Sequence, residues 1–262
     1  MKVLDDATLQ DCLDNALDFQ NITPYPWMRI SDFIRPELFP QLCAQLPPLE
    51  LFENHVGRTR AHGQKSHDRL ALQYRPSLDA QLSPLWRQFI AELHSPAYLG
   101  FWRTMLGLRP RSPVILTMHW HYAPAGASVS PHTDARRKIG SHIFYCNTTD
   151  DWEESWGGQT LVLADDSGRW PRHSAPDFSD LREVGASRVL DNQSFLFAQT
   201  DHSWHAVKAL SCPPGAYRKV FIVVANRLSG QVLWRRIRGK DADGYRLAGG
   251  DRREPSRSSG SY

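Results

Sequence analysis

The chain has 262 residues, of which 41% are hydrophobic and 11% aromatic, and its formal net charge is +3. This length and composition suffice for a buried core, which excludes disorder along the whole chain. The basic excess follows Trp234, where eight basic residues outnumber four acidic ones and leave the remaining body at about −1. Because the body carries no basic stripe, we do not expect specific nucleic-acid binding.

The four cysteines are widely separated and include no Cys-x-x-Cys pair, which indicates neither a disulfide framework nor a thiolate zinc site. Acidic residues follow the first methionine before any apolar run could form a signal peptide. No stretch approaches the roughly 20 apolar residues of a membrane span. We therefore expect a soluble protein of the reducing cytoplasm, with no membrane partner.

The first hundred residues have helical periodicity. Apolar residues recur at roughly helical spacing over residues 9–19, and a second helical segment is predicted over residues 36–48. The clearest apolar stripe covers residues 82–93, where Ser83-Pro84 suits a helix start. We expect these helices to pack against the rest of the chain.

From about residue 113 the sequence changes to short β-branched or aromatic runs divided by Gly, Pro, Asn and Asp. Six runs have the length and composition of strands: Val114 to Tyr122, Ser141 to Asn147, Gln159 to Ala164, Ser194 to Ala198, Trp204 to Val207 and Lys219 to Ala225. Several such strands at modest spacing predict a sandwich or a barrel.

Two polar segments interrupt this pattern. The stretch from Glu53 to Arg75 is rich in histidines and charges, and we favour a solvated connection over a loop near an active site. The stretch from Asp165 to Asn192 exceeds an ordinary hairpin loop, and such loops are often functional. If both segments frame the entrance to a site, their arginines, histidines and aspartates suit a polar substrate.

After Trp234 the apolar content gives way to Gly, Arg, Asp and Ser, a composition that cannot bury enough surface to become ordered. We therefore divide the chain into a helical N-terminal support region (residues 1–110), a β core (residues 111–230) and a basic, disordered tail (residues 231–262). The sequence leaves the oligomeric state open.

The most informative feature is His132-Thr133-Asp134, which is followed at a distance by Trp204-His205-Ala206-Val207. On a strand, residues i and i+2 face the same side, so His132 and Asp134 can reach one ion. Two imidazoles and one carboxylate on one face of a metal, with the opposite positions open, are the ligand set associated with non-haem Fe(II) oxygenases. A His-x-Asp pair alone is more often structural, so the surrounding sequence has to support this interpretation.

Further features occur in a definite order around the pair. In chain order they are Tyr122, Gly126, His132, Asp134, Tyr145, Trp156-Gly157-Gly158, His205 and Arg218. Over residues 113–226 this combination resembles the 2-oxoglutarate and Fe(II)-dependent oxygenase superfamily, and within it the prolyl 4-hydroxylase-like branch. The resemblance implies a mainly β fold, a double-stranded β-helix (jelly roll) packed against the N-terminal helices.

The resemblance also implies a role for each matching residue. The iron ligands of the catalytic centre would be His132, Asp134 and His205. Arg218 would bind the distal carboxylate of 2-oxoglutarate, a task suited to a planar guanidinium group. Tyr145 would offer its hydroxyl to the same carboxylate, and Tyr122 would line the cosubstrate pocket, although both could instead be core aromatics.

The implied activity is hydroxylation of a polar substrate with Fe(II), 2-oxoglutarate and O2, with release of succinate and CO2. Ascorbate could serve as a further cofactor. The substrate could be a prolyl or other peptide side chain, a free amino acid or a small metabolite. The alternative is a non-catalytic jelly-roll or cupin-like binding protein, which has no need of the three ligands together with Arg218.

Other histidines compete for these roles. His202 lies three residues before His205, but the Trp-His-x-Val context favours His205 as the ligand. His119 and His121 could line the pocket, and we expect them instead to have structural roles and not to share a metal.

The choice of Arg218 over Lys219 depends on the resemblance. Both faces of the strand that begins there are apolar, so periodicity alone does not select the inward-facing residue. Arg227 follows nine residues later, whereas nucleic-acid dealkylating oxygenases carry a second arginine closer to the first. This spacing disfavours a repair function.

Overall fold

The computed structural model describes residues 2–57, 65–240 and 242. In these parts of the chain, the strands form two antiparallel sheets with the orders β1-β9-β6-β11-β4-β3-β2 and β5-β10-β7-β8. The strands are β1 (Trp27–Ser31), β2 (Glu53–Asn54), β3 (Leu70–Gln73), β4 (Val114–Ala123), β5 (Val129–His132), β6 (Lys138–Tyr145), β7 (Leu161–Ala164), β8 (Arg182–Ala186), β9 (Gln193–Ala198), β10 (Trp204–Val207) and β11 (Arg218–Arg227). None of the described helices is long and apolar enough to cross a bilayer.

Strands β4 to β11 are distributed over both sheets. The larger sheet takes β4, β6, β9 and β11, and the smaller sheet takes β5, β7, β8 and β10. Two facing four-stranded sheets built from one continuous run of eight strands form a double-stranded β-helix, or jelly roll. The predicted fold class is therefore confirmed, and each of the six predicted strand runs overlaps a strand of this core.

Alternate residues of β11 enter two separate apolar cores. Phe221 and Val223 pack with the helices on the outer face of the larger sheet. Val220 packs with residues of both sheets in the space between them. Because side chains alternate along a strand, Arg218 has the same orientation as Val220 and faces the space between the sheets.

Five N-terminal helices contribute to the outer core. They are α1 (Asp6–Asp14), α2 (Ala16–Asn21), α3 (Phe39–Ala44), α4 (Pro84–Leu93) and α5 (Pro96–Met105). Ser83 and Ser95 cap α4 and α5, and each serine is followed by a proline that suits the first helical position. The three predicted helical segments are confirmed, and α5 is an additional helix.

Residues 1–110 also contribute the strands β1, β2 and β3, which the prediction of a helical support region did not include. Strand β1 pairs with β9 at one edge of the larger sheet, and β3 pairs with β4 near the other. Each pairing covers a backbone edge that the jelly roll would otherwise leave without hydrogen-bond partners. The N-terminal region therefore completes the sheet as well as covering it.

The first part of the tail forms helix α6 (Gly230–Ile237), in which Val232 is buried. The prediction of a disordered tail was wrong for these residues, because an apolar side chain gives the helix a buried contact. The predicted tail at residues 241 and 243–262 lies outside the described residues, as do residues 58–64 of the first polar segment.

Candidate metal centre and its cavity

A cavity of about 500 Å³ lies between the two sheets. Its walls include residues of β4, β6 and β11 from the larger sheet and residues of β5 and β10 from the smaller sheet. Apolar side chains such as Phe197, Val207 and Ile222 alternate with polar ones in this lining. A concave site with a few convergent polar groups is the usual form of a ligand-binding pocket.

The predicted metal ligands meet in the wall of this cavity. His205 in β10 is the direct cross-strand partner of His132 in β5, and the centres of the two imidazole rings are 4.3 Å apart. Nε2 of His205 lies 4.0 Å from Oδ2 of Asp134. One ligand atom from each of the three residues lies within 4.8 Å of the others, as a shared ion requires.

Hydrogen bonds fix the orientation of both imidazole rings. Nδ1 of His132 donates to the carbonyl oxygen of Ser130 at 2.9 Å, and Nδ1 of His205 donates to that of Ser203 at 2.9 Å. With the proton on Nδ1, the lone pair of Nε2 is available to a metal. Carbonyl oxygens bonded in this way are the usual support of metal-binding histidines.

Burial keeps the two imidazoles neutral at neutral pH. Burial, assisted by the neighbouring His205, lowers the pKa of His132 to about 3. Burial also lowers the pKa of His205, although the Asp134 carboxylate opposes this shift. Because a metal binds the neutral imidazole, both residues are in the state that coordination needs.

Asp134 is held by loop contacts and not by strand geometry. Strand β5 ends at His132, so the prediction that both residues lie on one strand was wrong for Asp134. Arg172 and Gln199 donate hydrogen bonds to the backbone carbonyl of Asp134. The ammonium group of Lys138 donates to Oδ1 of the side chain at 2.6 Å.

The Asp134 carboxyl group is ionised although it is largely buried. Burial alone would raise its pKa, but the positive charge of Lys138 and its hydrogen bond to the carboxylate outweigh burial and hold the pKa of Asp134 well below its usual range. Lys138 contacts Oδ1, whereas Oδ2 is the oxygen measured nearest His205. The carboxylate can therefore keep its lysine contact while Oδ2 takes part in a metal site.

Arg218 is buried in the wall of the same cavity, with 7% of its surface exposed. Its Nε donates to the carbonyl oxygen of Gly158 at 2.5 Å, and its Nη2 donates to Oγ1 of Thr160 at 3.3 Å. Within the described chain, Arg218 forms no ion pair with a carboxylate. Burial lowers the pKa of Arg218, but a guanidinium group stays charged at neutral pH. A buried charge without a counterion is costly, so this position favours an anionic ligand.

The glycines of Trp156-Gly157-Gly158 allow the backbone to approach this guanidinium group. Gly158 has φ +98°, and a Cβ atom at this residue would lie 3.1 Å from Cδ of Arg218. A larger residue would thus strain the backbone and press on the arginine side chain. Gly158 therefore allows Arg218 to take its buried position.

Tyr145 lies beside Arg218, with the guanidinium carbon 5.2 Å from the centre of the tyrosine ring. Its hydroxyl group is hydrogen-bonded to Ser187 at 2.6 Å and to Thr160 at 2.8 Å. The hydroxyl therefore belongs to the polar network around the buried arginine. A direct contact between this hydroxyl and a bound carboxylate stays a prediction.

Tyr122 does not line the cavity, so its predicted place in the cosubstrate pocket was wrong. Its ring stacks on Phe52 with centres 4.3 Å apart, and its hydroxyl donates to the carbonyl of Pro47 at 3.2 Å. Tyr122 is part of the core formed with the helices. Alternation along β4 places its side chain on the face opposite to that of His121.

His119 and His121 both line the cavity, with ring centres 5.8 Å apart. Of the two alternatives that the sequence left open, the structure shows the one in which they line the cavity, and both are on the same face of β4 because residues two apart on a strand face the same side. Neither residue belongs to the group of three convergent ligands. Trp120 lies between them in the sequence and is fully buried on the helix side. The alternation of side chains along β4 could therefore have indicated that both histidines face the cavity.

Sequence reasoning missed the contribution of the first polar segment, which we expected to be a solvated connection. Its cavity-lining polar and charged residues are Glu53, His55, His67, Arg69, Gln73 and Arg75. The short run Leu70-Ala71-Leu72-Gln73 was the signal of a strand, and β3 brings this segment beside β4. The second segment contains β8 and supplies no cavity-lining residue within the described chain, but its Arg172 reaches the Asp134 backbone.

Comparison with known proteins gives matches only among solved structures. A scan against protein-family models finds no match, and a search of curated proteins finds none either. A prolyl 4-hydroxylase from Pseudomonas putida aligns with TM-score 0.55 and 16% identity over 83% of this chain and 100% of its own. A prolyl 4-hydroxylase from Phytophthora capsici aligns with TM-score 0.53 and 16% identity over 87% of this chain and 67% of its own.

A third similar structure is a prolyl hydroxylase from Trichoplax adhaerens in complex with a peptide fragment of the hypoxia inducible factor oxygen degradation domain. It aligns with TM-score 0.58 and 14% identity over 85% of this chain and 94% of its own. At these identities the similarity is one of fold. The chain therefore has the prolyl 4-hydroxylase-like double-stranded β-helix that the resemblance implied.

The geometry of the centre predicts binding of one divalent transition metal per chain, measured by Co(II) or Mn(II) titration. Replacing Asp134 or His205 with Ala should weaken binding by more than about 100-fold, because loss of a hydrogen bond to a ligand alone costs about 10- to 100-fold. His202→Ala is the matched control, since His202 is exposed and outside the group of three. Equal loss of affinity in the His202 and His205 variants would contradict the assignment.

Proposed function

We propose that the protein is an Fe(II)- and 2-oxoglutarate-dependent dioxygenase that hydroxylates a polar substrate. The reaction converts substrate, 2-oxoglutarate and O2 into hydroxylated substrate, succinate and CO2. The observation that carries the proposal is the combination of two features in one cavity. Three convergent ligands occupy one part of the wall, and the buried guanidinium of Arg218, without a carboxylate partner among the described residues, occupies another.

The donor set fits ferrous iron. Two neutral imidazoles and one carboxylate are the ligand types of non-haem Fe(II) sites, and three protein ligands leave positions for a bidentate cosubstrate and for O2. Bound iron would supply the oxidative chemistry that couples decarboxylation of the keto acid to substrate hydroxylation. The hydrogen bonds from His132 and His205 to backbone carbonyls would preserve the ligand geometry during turnover.

Arg218 is suited to the carboxylate of 2-oxoglutarate that is not chelated to the metal. A guanidinium group can form two parallel hydrogen bonds with a carboxylate. Thr160 lines the cavity next to Arg218, and its hydroxyl could donate a further bond in place of its contact with Tyr145. The dianion would neutralise the otherwise uncompensated buried cation, which accounts for its burial in the native state.

Apolar residues around the ligands would limit the access of water. Phe197 contacts the His205 ring at a centre-to-centre distance of 4.8 Å, and Val207 and Ile222 also line the cavity. Exclusion of water strengthens the electrostatic interactions of a bound cosubstrate and restrains side reactions. This lining supports catalysis over simple storage of a metal ion.

The alternative of a non-catalytic jelly-roll or cupin-like binding protein is not favoured. Such a module would not require an ionised carboxylate, two correctly oriented imidazoles and a separate buried cation in one cavity. The requirement for all of these groups follows directly from binding both a metal and a dianionic cosubstrate.

The direct test is release of succinate and CO2 from labelled 2-oxoglutarate with Fe(II) and O2, including uncoupled turnover without a substrate. The wild-type protein should turn over 2-oxoglutarate. Arg218→Gln should raise the KM for 2-oxoglutarate about 30-fold or more, because removing one partner of a buried charged pair costs about 2–5 kcal/mol. The exposed Arg182, which pairs with Asp166, gives the matched control Arg182→Gln, expected to be unchanged. Absence of turnover in iron-loaded wild-type protein would refute the proposal.

A second variant tests the backbone support of the cosubstrate site. Gly158→Ala should raise the KM for 2-oxoglutarate while leaving metal affinity unchanged, because the added methyl group presses on Arg218 and not on the metal ligands. Gly168→Ala is the control for backbone strain, since Gly168 also has a positive φ (+62°) but no atom within 4 Å of an added Cβ. Similar KM values in the two variants would show that contact with Arg218 does not matter.

A further inference from the structure

The cavity lining is strongly cationic beyond the metal ligands and Arg218. Its other positively charged side chains are Arg69, Arg75, Arg137 and Lys138. Among the described lining residues, Glu53 is the single carboxylate apart from Asp134, and its side chain is 65% exposed. With Fe(II) and 2-oxoglutarate bound as proposed, the charge of the metal ion equals that of the dianion and the two sum to zero. The charges of Asp134 and Arg218 also sum to zero. The formal charge of the other described lining residues is then net positive, which attracts an anion.

Arg69 occupies a defined position where the chain crosses between the two sheets. The backbone just before it is bonded to β5 through the carbonyl of Ser66, which accepts from Ser130, and to the residue preceding β5 through the N–H of Asp68. The backbone just after it enters β3, which pairs with β4 of the larger sheet. The Arg69 side chain therefore extends from a segment that is attached to both walls of the cavity.

Two hydrogen bonds hold the Arg69 guanidinium group against the cavity wall. Nη1 donates to the carbonyl oxygen of His67 at 2.9 Å, and Nε donates to Nε2 of His121 at 3.3 Å. The His67 ring lies 5.5 Å, centre to centre, from the ring of the metal ligand His132. His67 therefore lies between Arg69 and the metal ligand His132.

His121 is in the protonation state that this arrangement requires. Burial, followed by the positive charge of Arg69, holds the pKa of His121 well below its usual range. The imidazole is neutral at neutral pH, so its Nε2 can accept the hydrogen bond from Arg69. His121 therefore acts as a positioning residue for the guanidinium group.

We propose that Arg69 binds an oxyanion of the substrate, a carboxylate or a phosphate, so that the enzyme hydroxylates an anionic compound. This inference rests on the proposed function, and it narrows the substrate class from polar to anionic. A guanidinium group with a fixed plane is suited to bidentate binding of either oxyanion. The neighbouring cationic residues of the lining add long-range attraction without a need for specific contacts.

The test compares each anion with its neutral counterpart. The carboxylate probes are L-aspartate against L-asparagine, L-glutamate against L-glutamine, and N-acetyl-L-proline against N-acetyl-L-prolinamide. Glycerol 3-phosphate against glycerol tests a phosphate source. Binding is measured by saturation-transfer NMR, with the protein alone and with its Zn(II)–2-oxoglutarate complex, and hydroxylation is measured by mass spectrometry in the Fe(II)-loaded enzyme.

Anions should bind more tightly than their neutral partners by about 10- to 100-fold, the range expected for a charge-assisted hydrogen bond. Arg69→Gln should abolish this preference, and Arg69→Lys should restore part of it because the charge is retained. His121→Phe should reduce the preference by a smaller factor, since it removes the hydrogen bond that orients Arg69. Arg182→Gln, the same substitution at an exposed site outside the cavity lining, should keep the wild-type preference.

Equal binding of the charged and neutral members of every pair, or no binding of any anion, would overturn the inference. The inference would also be overturned if the Arg69→Gln and Arg182→Gln variants preferred anions over their neutral partners by the same factor. Uncoupled turnover of 2-oxoglutarate does not depend on a substrate anion. A protein that turns over 2-oxoglutarate but prefers neutral probes would therefore refute the anionic substrate and leave the proposed function intact.

Discussion

The antiparallel pairing of β5 with β10 is the interaction on which the candidate site depends. It sets His132 directly opposite His205 and brings both imidazoles to the space between the sheets. Side chains of directly opposed residues are close enough to share a ligand. The backbone carbonyls of Ser130 and Ser203, each two residues before its histidine, then orient both rings in the same way. One local pairing thus determines ligand distance, ring orientation and tautomer together.

The second feature that determines the site is the alternation of side chains along the strands of the larger sheet. On β11 this alternation places Phe221 in the core with the helices and Arg218 on the opposite face, towards the cavity. On β4 the same rule buries Trp120 against the helices and exposes His121 to the cavity. Large aromatic residues on the outer face therefore hold the polar residues of the inner face in place. The helices α1 to α5 support the chemistry of the site by fixing these strands, and none of their residues is in the described lining of the cavity.

The sequence predicted six of the eight jelly-roll strands from their composition, the three convergent ligands from their motifs, and Arg218 from its place in the order of motifs that the resemblance implies. It did not predict the position of Asp134 beyond the end of β5, since loop contacts from Arg172 and Gln199 come from distant segments. The assignment of Tyr122 to the cosubstrate pocket followed the resemblance and did not consider that alternation along β4 places Tyr122 on the face opposite to His121. Strands β1 and β3 escaped prediction because they are short and are stabilised by pairing with β9 and β4, which is a tertiary effect.

The central claim is that the three ligands and Arg218 form one site for a metal and a keto acid. An Fe(II) ion chelated by an α-keto acid has a visible charge-transfer absorption that Fe(II) alone lacks. The most direct measurement is therefore an anaerobic titration of the iron-loaded protein with 2-oxoglutarate, followed by visible absorption. The account predicts a band that saturates at one 2-oxoglutarate per iron. Iron-loaded protein that gives no such band at saturating 2-oxoglutarate would contradict it.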